Sequence, residues 1–219
     1  MASRIAPLTG AIFVVVLIVG FVVAGEAPDA ERGNARELVD HYVDNKDSVM
    51  IGAALTTWAA AAMAFFGGYL RTVLRDRGGD SGFLPSMAMA GALAIAIGGA
   101  IDATIIFTMA ETADDVGAGT TLTLSALFEN DFFPVALGTF IFLLATGLSI
   151  VRGAGALPKW MGWVAIAFGI TALTPIGFIG FMGMGLFTLV ASILLTIRAG
   201  SPAAPAAPQA SPAPEAPAA

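Results

Sequence analysis

Five stretches of the chain are almost free of polar positions, and the intervals between them hold nearly all of its charge. They cover residues 8–25, 48–70, 85–110, 131–151 and 158–197. Each of the first four has about the length that crosses a ~30 Å hydrocarbon core as one helix. The fifth is too long for a single crossing, and Thr174-Pro175 divides it. A capping hydroxyl followed by proline at the first helical position predicts a new helix start there. The pattern therefore predicts an all-α membrane protein, a bundle of six transmembrane helices over 8–25, 48–70, 85–110, 131–151, 158–173 and 175–197. The fifth, at about 16 residues, reaches only roughly 24 Å. Pro134 and Pro158 sit at the openings of the fourth and fifth spans, where a missing N–H costs nothing.

The first run also fits a cleaved signal peptide, since Arg4 precedes it and Gly25-Glu26-Ala27 offers a small-x-small site. It exceeds the usual apolar core of such peptides, about 7–15 residues, and retention is the expectation.

The polar intervals differ in character. In 26–47, Asn34 with Glu37 three positions on predicts a helix start. Leu38, Val39, Tyr42 and Val43 then share a face, and Arg36 and Asp40 can pair at i, i+4. This predicts a short amphipathic helix on the membrane surface or over the bundle mouth, with Asp47 capping the second span. Residues 117–130 (GAGTTLTLSALFEN) are too polar for a span and apolar enough for an interface. Residues 199–219 are Pro/Ala-rich, cannot pack a core and are expected to be a disordered tail beyond a transmembrane domain of residues 1–198.

Composition agrees with the pattern. The chain is 57% hydrophobic and 12% charged, against about 25% charged in soluble domains. The placement of charge sets an orientation. With both termini cytoplasmic, Arg4, Arg71, Arg75, Arg77, Arg152, Lys159 and Arg198 lie inside, seven of the ten basic residues. Twelve of the sixteen acids lie outside. Lys/Arg bias governs topology, and no flipped or five-span arrangement matches it as well. Membrane lipids are the expected surroundings, with head groups against the Arg71/Arg75/Arg77 cluster.

Several chemistries are excluded. There is no cysteine and one histidine, His41, so disulfides, thiolate sites, haem pockets and His-based zinc sites are not expected. Nucleophilic triads lack a base, and a retinal Schiff base lacks an intramembrane lysine. No Gly-rich phosphate loop with its lysine is present, and nothing points to nucleic acid or to a cofactor.

Three stretches together carry a resemblance: ELVDHYVDNKDSVMIGAAL entering the second span, NDFFPVALG opening the fourth, and LPKWMGWVAIAFGITALTPIGFIGF across the fifth and sixth. They resemble a family of uncharacterised six-span integral membrane proteins common in actinobacteria. The resemblance implies the topology and a bacterial plasma membrane, and it implies no activity.

One residue breaks the apolar pattern inside a span: Asp102, within FLPSMAMAGALAIAIGGAIDATIIFTM. A carboxylate at that depth costs about 2.5–3.5 kcal/mol on insertion scales and needs a partner, a proton or a water-filled cavity. It lies about 12 Å from the outer end of its span. Thr56, Thr57 and Thr139 fall at the same depth on neighbouring spans and are candidate hydrogen-bond partners. No Lys, Arg or His falls within any span interior. Glu129 and Asp131 lie above it, at the mouth of the fourth span. These six residues form the candidate solute or cation site. A hard-cation site or an acid/base pair is the functional reading of the acids, and acids favouring a helix dipole is the structural one.

Two roles follow. In one, the bundle handles a small solute or cation through an outward-facing polar cavity ending at Asp102. In the other, it is a non-catalytic accessory protein in which Asp102 is structural and the loop helix and Gly/Ala faces dock a protein partner or a second copy. An enzyme is not expected; an intramembrane acid hydrolase using Glu129 and Asp131 is the one exception considered.

Overall fold

The computed structural model describes residues 5–28, 35–78, 82–153, 155 and 157–200. Helix is the only regular secondary structure among them. The elements are α1 (Leu8–Ala24), α2 (Ala35–Asp44), α3 (Lys46–Gly78), α4 (Phe83–Thr112), α5 (Ala118–Asn130), α6 (Phe133–Val151), α7 (Lys159–Thr171) and α8 (Gly177–Gly200).

Six of these close a ring. α1 packs on α3, α3 on α4, α4 on α6, α6 on α7, α7 on α8, and α8 returns to α1. Glycine pairs let the backbones approach at three of these crossings: Gly20 with Gly52, Gly91 with Gly138, and Gly147 with Gly162. Small residues serve this purpose where lipid removes the hydrophobic drive between helices. The outward faces are apolar too. Trp58 and Phe65 are each 72% exposed, and Val15, Val19 and Val22 point away from the bundle. A helix apolar on all sides is at home in lipid. Among the described residues four stretches are long and apolar enough to cross a membrane: Lys46–Asp76, Phe83–Thr112, Ala118–Val151 and Gly177–Ala199; Leu8–Ala24 is a shorter apolar helix.

The two ends of the ring differ. One carries Arg71, Arg75, Arg152, Lys159 and Arg198. There Arg71 Nε donates to Ser86 Oγ at 3.3 Å, and Arg198 Nη1 reaches the Gly155 carbonyl oxygen at 3.5 Å. This half holds the main core, in which Met63, Phe66, Phe142, Met184 and Phe187 are buried. The opposite end is capped by α2 and α5, which pack on each other and on the end of α4. Leu38 and Tyr42 are buried there with Ile105, Met109 and Ala110. The amphipathic helix thus covers the bundle mouth. Lys46 ties the cap to α4, donating to the Glu111 carbonyl oxygen at 3.2 Å and standing 3.9 Å from Asp114.

Several boundaries differ from those expected. α3 continues past residue 70 to Gly78, because Arg71 to Arg77 contain no helix breaker and can leave the hydrocarbon as helix. Only Asn45 separates it from α2; the Asn45 side chain donates to the His41 carbonyl oxygen at 2.9 Å. Residues 117–130 are mostly helix, opening from an extended Gly117. Thr174 is not a helix cap. Its hydroxyl turns back to the Thr171 carbonyl oxygen at 2.7 Å, and α8 starts only at Gly177. Pro134 and Pro158 take the positions expected of them. Asn34 and residues 201–219 of the expected tail lie outside the described residues.

Candidate functional site

Between the main core and the cap the ring encloses a cavity of about 440 Å³. Its floor is set by Phe13, Ala60, Ile95 and Phe181, where the side chains of the main core begin. Towards the cap it is bounded by Phe128, Phe132 and the turn at Thr174 and Pro175. α1 and α8 are held together at the arginine-bearing end, where Ser192 Oγ donates to the Pro7 carbonyl oxygen and accepts from Ala11 N–H. At the capped end both helices line the cavity. Phe21 and Phe178 are wall residues and are also 52% and 72% exposed, so the cavity reaches the surface between α1 and α8.

Asp102 stands in this wall and, among the described residues, is the only ionisable side chain lining the cavity. Three threonines supply the remaining polar side chains: Thr56, Thr139 and Thr174. Asp102 Oδ1 is buried without a hydrogen-bond partner, and so is Thr139 Oγ1. Native structures leave few such groups, because each forfeits its hydration. Asp131, in the turn between α5 and α6, lies within electrostatic reach of Asp102, and its Oδ2 is also buried and unpartnered.

The six expected residues thus separate into groups. Asp102, Thr56 and Thr139 line one cavity, and Asp131 stands close enough to sense its charge. Thr56 does not bond Asp102; its hydroxyl donates to the Gly52 carbonyl oxygen of its own helix at 3.0 Å. Thr57 is exposed on another face of α3 and donates to Ala53 O at 3.1 Å. Glu129 is exposed and acts on a different residue, Tyr42 of the cap, whose phenol is pushed up to about 12 by burial and by the Glu129 charge. Glu129 and Asp131 therefore serve different neighbourhoods. His41 lies edge-on to Tyr42, with ring centroids 5.4 Å apart. Among the described residues no group of three or more acidic, His or Cys side chains is placed to hold a metal ion.

Sequence reasoning did not single out the aromatic wall. Phe13 and Phe21, Phe128 and Phe132, and Phe178 and Phe181 all face the cavity. Phe13 and Phe21 on α1, and Phe178 and Phe181 on α8, lie eight and three residues apart, each pair on one helical face and open to reading in advance, whereas Phe128 is in the last turn of α5 and Phe132 in the turn before α6. No family model, curated protein or solved structure matches this chain.

Proposed function

We propose that this protein crosses a bacterial plasma membrane six times, with both termini cytoplasmic, and takes a small cationic solute from the extracytoplasmic side into the cavity at Asp102. The observation that carries the reading is a buried, unpartnered carboxylate oxygen in the wall of a cavity whose other side chains are apolar save three threonines. An intramembrane acid of this kind has a physical reason to persist when a cation completes it. Asp131 supports the reading, since a second acid within electrostatic reach of Asp102 adds to an attractive field for positive solutes. The gathering of basic residues at the end opposite the cap supports the orientation. The apolar exteriors of α1 and α7 support two further crossings beside the four longest stretches.

The test is a thermal-shift panel of organic and inorganic cations on purified protein, read against Asp102→Asn. Stabilisation of the wild type by at least one cation, lost in Asp102→Asn while the variant stays monodisperse, supports the proposal. A variant that responds to every cation as the wild type does sinks it. Asp102 would then be a packing residue, and the accessory, partner-docking role would take its place.

A further inference from the structure

We infer that the cation is a hydrophobic amine in its ammonium form, carrying an aromatic or branched aliphatic body of drug-like size. The inference rests on the proposed role of Asp102 as the cation site and adds the chemistry of everything around it. Of the side chains lining the cavity, six are phenylalanines and one is charged. Phenylalanine rings attract cations over their faces and also accept an apolar body. An ammonium N–H supplies the donor that Asp102 Oδ1 lacks, and Thr139 Oγ1 stands as a second unpartnered oxygen.

Competing solutes fit less well. A bare divalent ion needs about six or more oxygen ligands, whereas the wall offers one carboxylate and three hydroxyls. Even with the Thr56 and Thr174 oxygens counted, whose O–H groups donate to Gly52 O and Thr171 O, the side-chain set falls short of about six ligands. Anions find no cationic side chain in the wall. A proton alone needs no chamber of about 440 Å³, a volume within the range of drug-sized ligand sites. The route in also suits a lipophilic molecule. The cavity reaches the surface between Phe21 and Phe178, on the outward side of the ring where apolar residues face lipid.

The experiment uses the full chain in nanodiscs, with empty nanodiscs as background, and follows the fluorescence of naphthylmethylammonium. Naphthalenemethanol is its neutral counterpart, and methylammonium and sodium are the hydrophilic competitors. Saturable binding of the naphthyl ammonium is expected, with the neutral alcohol roughly tenfold weaker. Asp102→Asn should cost about the same factor, and Asp102→Glu should retain binding. Gly99→Leu provides a second route should Asp102→Asn fold poorly. A Cβ at Gly99 meets only Ala60 Cβ, at 3.9 Å, so a leucine there can grow into the cavity and should abolish binding.

Equal affinity for the alcohol and the ammonium, or unchanged binding in Gly99→Leu, overturns the inference. Asp102-dependent binding of methylammonium or sodium without binding of the naphthyl probe overturns it too, and leaves the proposed function standing. Absence of Asp102-dependent binding by any of the three cations overturns both.

Discussion

Gly91 and Gly138 meet back to back where α4 crosses α6. A Cβ on Gly91 would stand 2.8 Å from the Gly138 carbonyl oxygen, and one on Gly138 would stand 3.0 Å from the Gly91 carbonyl oxygen. The contact joins two neighbouring helices of the ring that carry Asp102 and Thr139, so it fixes the wall that holds the candidate site.

Gly91→Ala is therefore expected to destabilise the protein despite alanine's better helix propensity. The added methyl would lie 2.3 Å from the Phe142 backbone nitrogen, and backbone cannot yield as a side-chain tip can. Overpacking of this kind costs about 1–3 kcal/mol. Gly68 on α3 is the control, because a Cβ there meets nothing within 4 Å. Gly68→Ala should be neutral or stabilising by up to about 1 kcal/mol. Thermal unfolding of the two variants in the same detergent checks the ordering.

Ser192 makes a second, separable prediction. Its hydroxyl bridges Ala11 N–H, at 3.0 Å, and the Pro7 carbonyl oxygen, so α8 inserts into the first turn of α1. Ser192→Ala removes that bridge and should cost about 0.5–1.5 kcal/mol, the net worth of a typical intramolecular hydrogen bond. Hydrogen exchange at residues 8–12 should speed up while exchange within α4 stays unchanged. Unaltered exchange at both places would mean that Ala11 N–H simply bonds Pro7 O directly.

The contrast between Thr56 and Thr57 shows what was legible in the sequence. Lipid forces apolar side chains and internally bonded backbone on any crossing segment, so the long runs announced themselves as helices. Depth along each helix follows from the rise per residue, and Thr56, Thr139 and Asp102 do line one cavity. Azimuth did not follow. Neighbours in sequence differ by about 100° around the axis, which puts Thr56 in the wall and Thr57 outside it. Low amphipathicity hides this angle, because lipid-facing and core-facing positions are equally apolar. Residues 117–130 were ambiguous for a related reason. Their helix draws its context from α2, distant in sequence, as well as from the end of the preceding α4.

The cap should respond to alkaline pH through Tyr42. Burial first, and then the Glu129 charge, raise its phenol from 10.0 to about 12. The folded cap therefore favours the neutral phenol. Its contribution is fully present below pH about 10 and is lost as the pH rises towards 12. Tyr42→Phe should abolish the alkaline loss of cap docking in this window, and Glu129→Gln should lower the Tyr42 transition. The chain has two tyrosines, so tyrosinate absorbance in a Tyr69→Phe background reports Tyr42 alone. Ionisation near 10 in that background would mean that the phenol is not held in the apolar contact described for it.

The sharpest test of the six-crossing topology falls on α7. Its helix runs only from Lys159 to Thr171, thirteen residues, which gives about 20 Å. Such a segment crosses a ~30 Å core only with help from its flanks or from local thinning. Trp160 and Trp163, both exposed, stand near one end, where a crossing α7 would use them as interfacial anchors, and the non-helical turn around Thr174 extends the other. The chain contains no cysteine, so single cysteines report without background. Asp115→Cys and Thr174→Cys should react with a membrane-impermeant maleimide on intact cells. Arg75→Cys and Arg152→Cys should react only after permeabilisation. If Thr174→Cys is protected together with Arg152→Cys, α7 does not cross and the even number of spans is lost. Reaction at Thr174 slowed by naphthylmethylammonium would, in addition, place that solute beside the turn that borders the cavity.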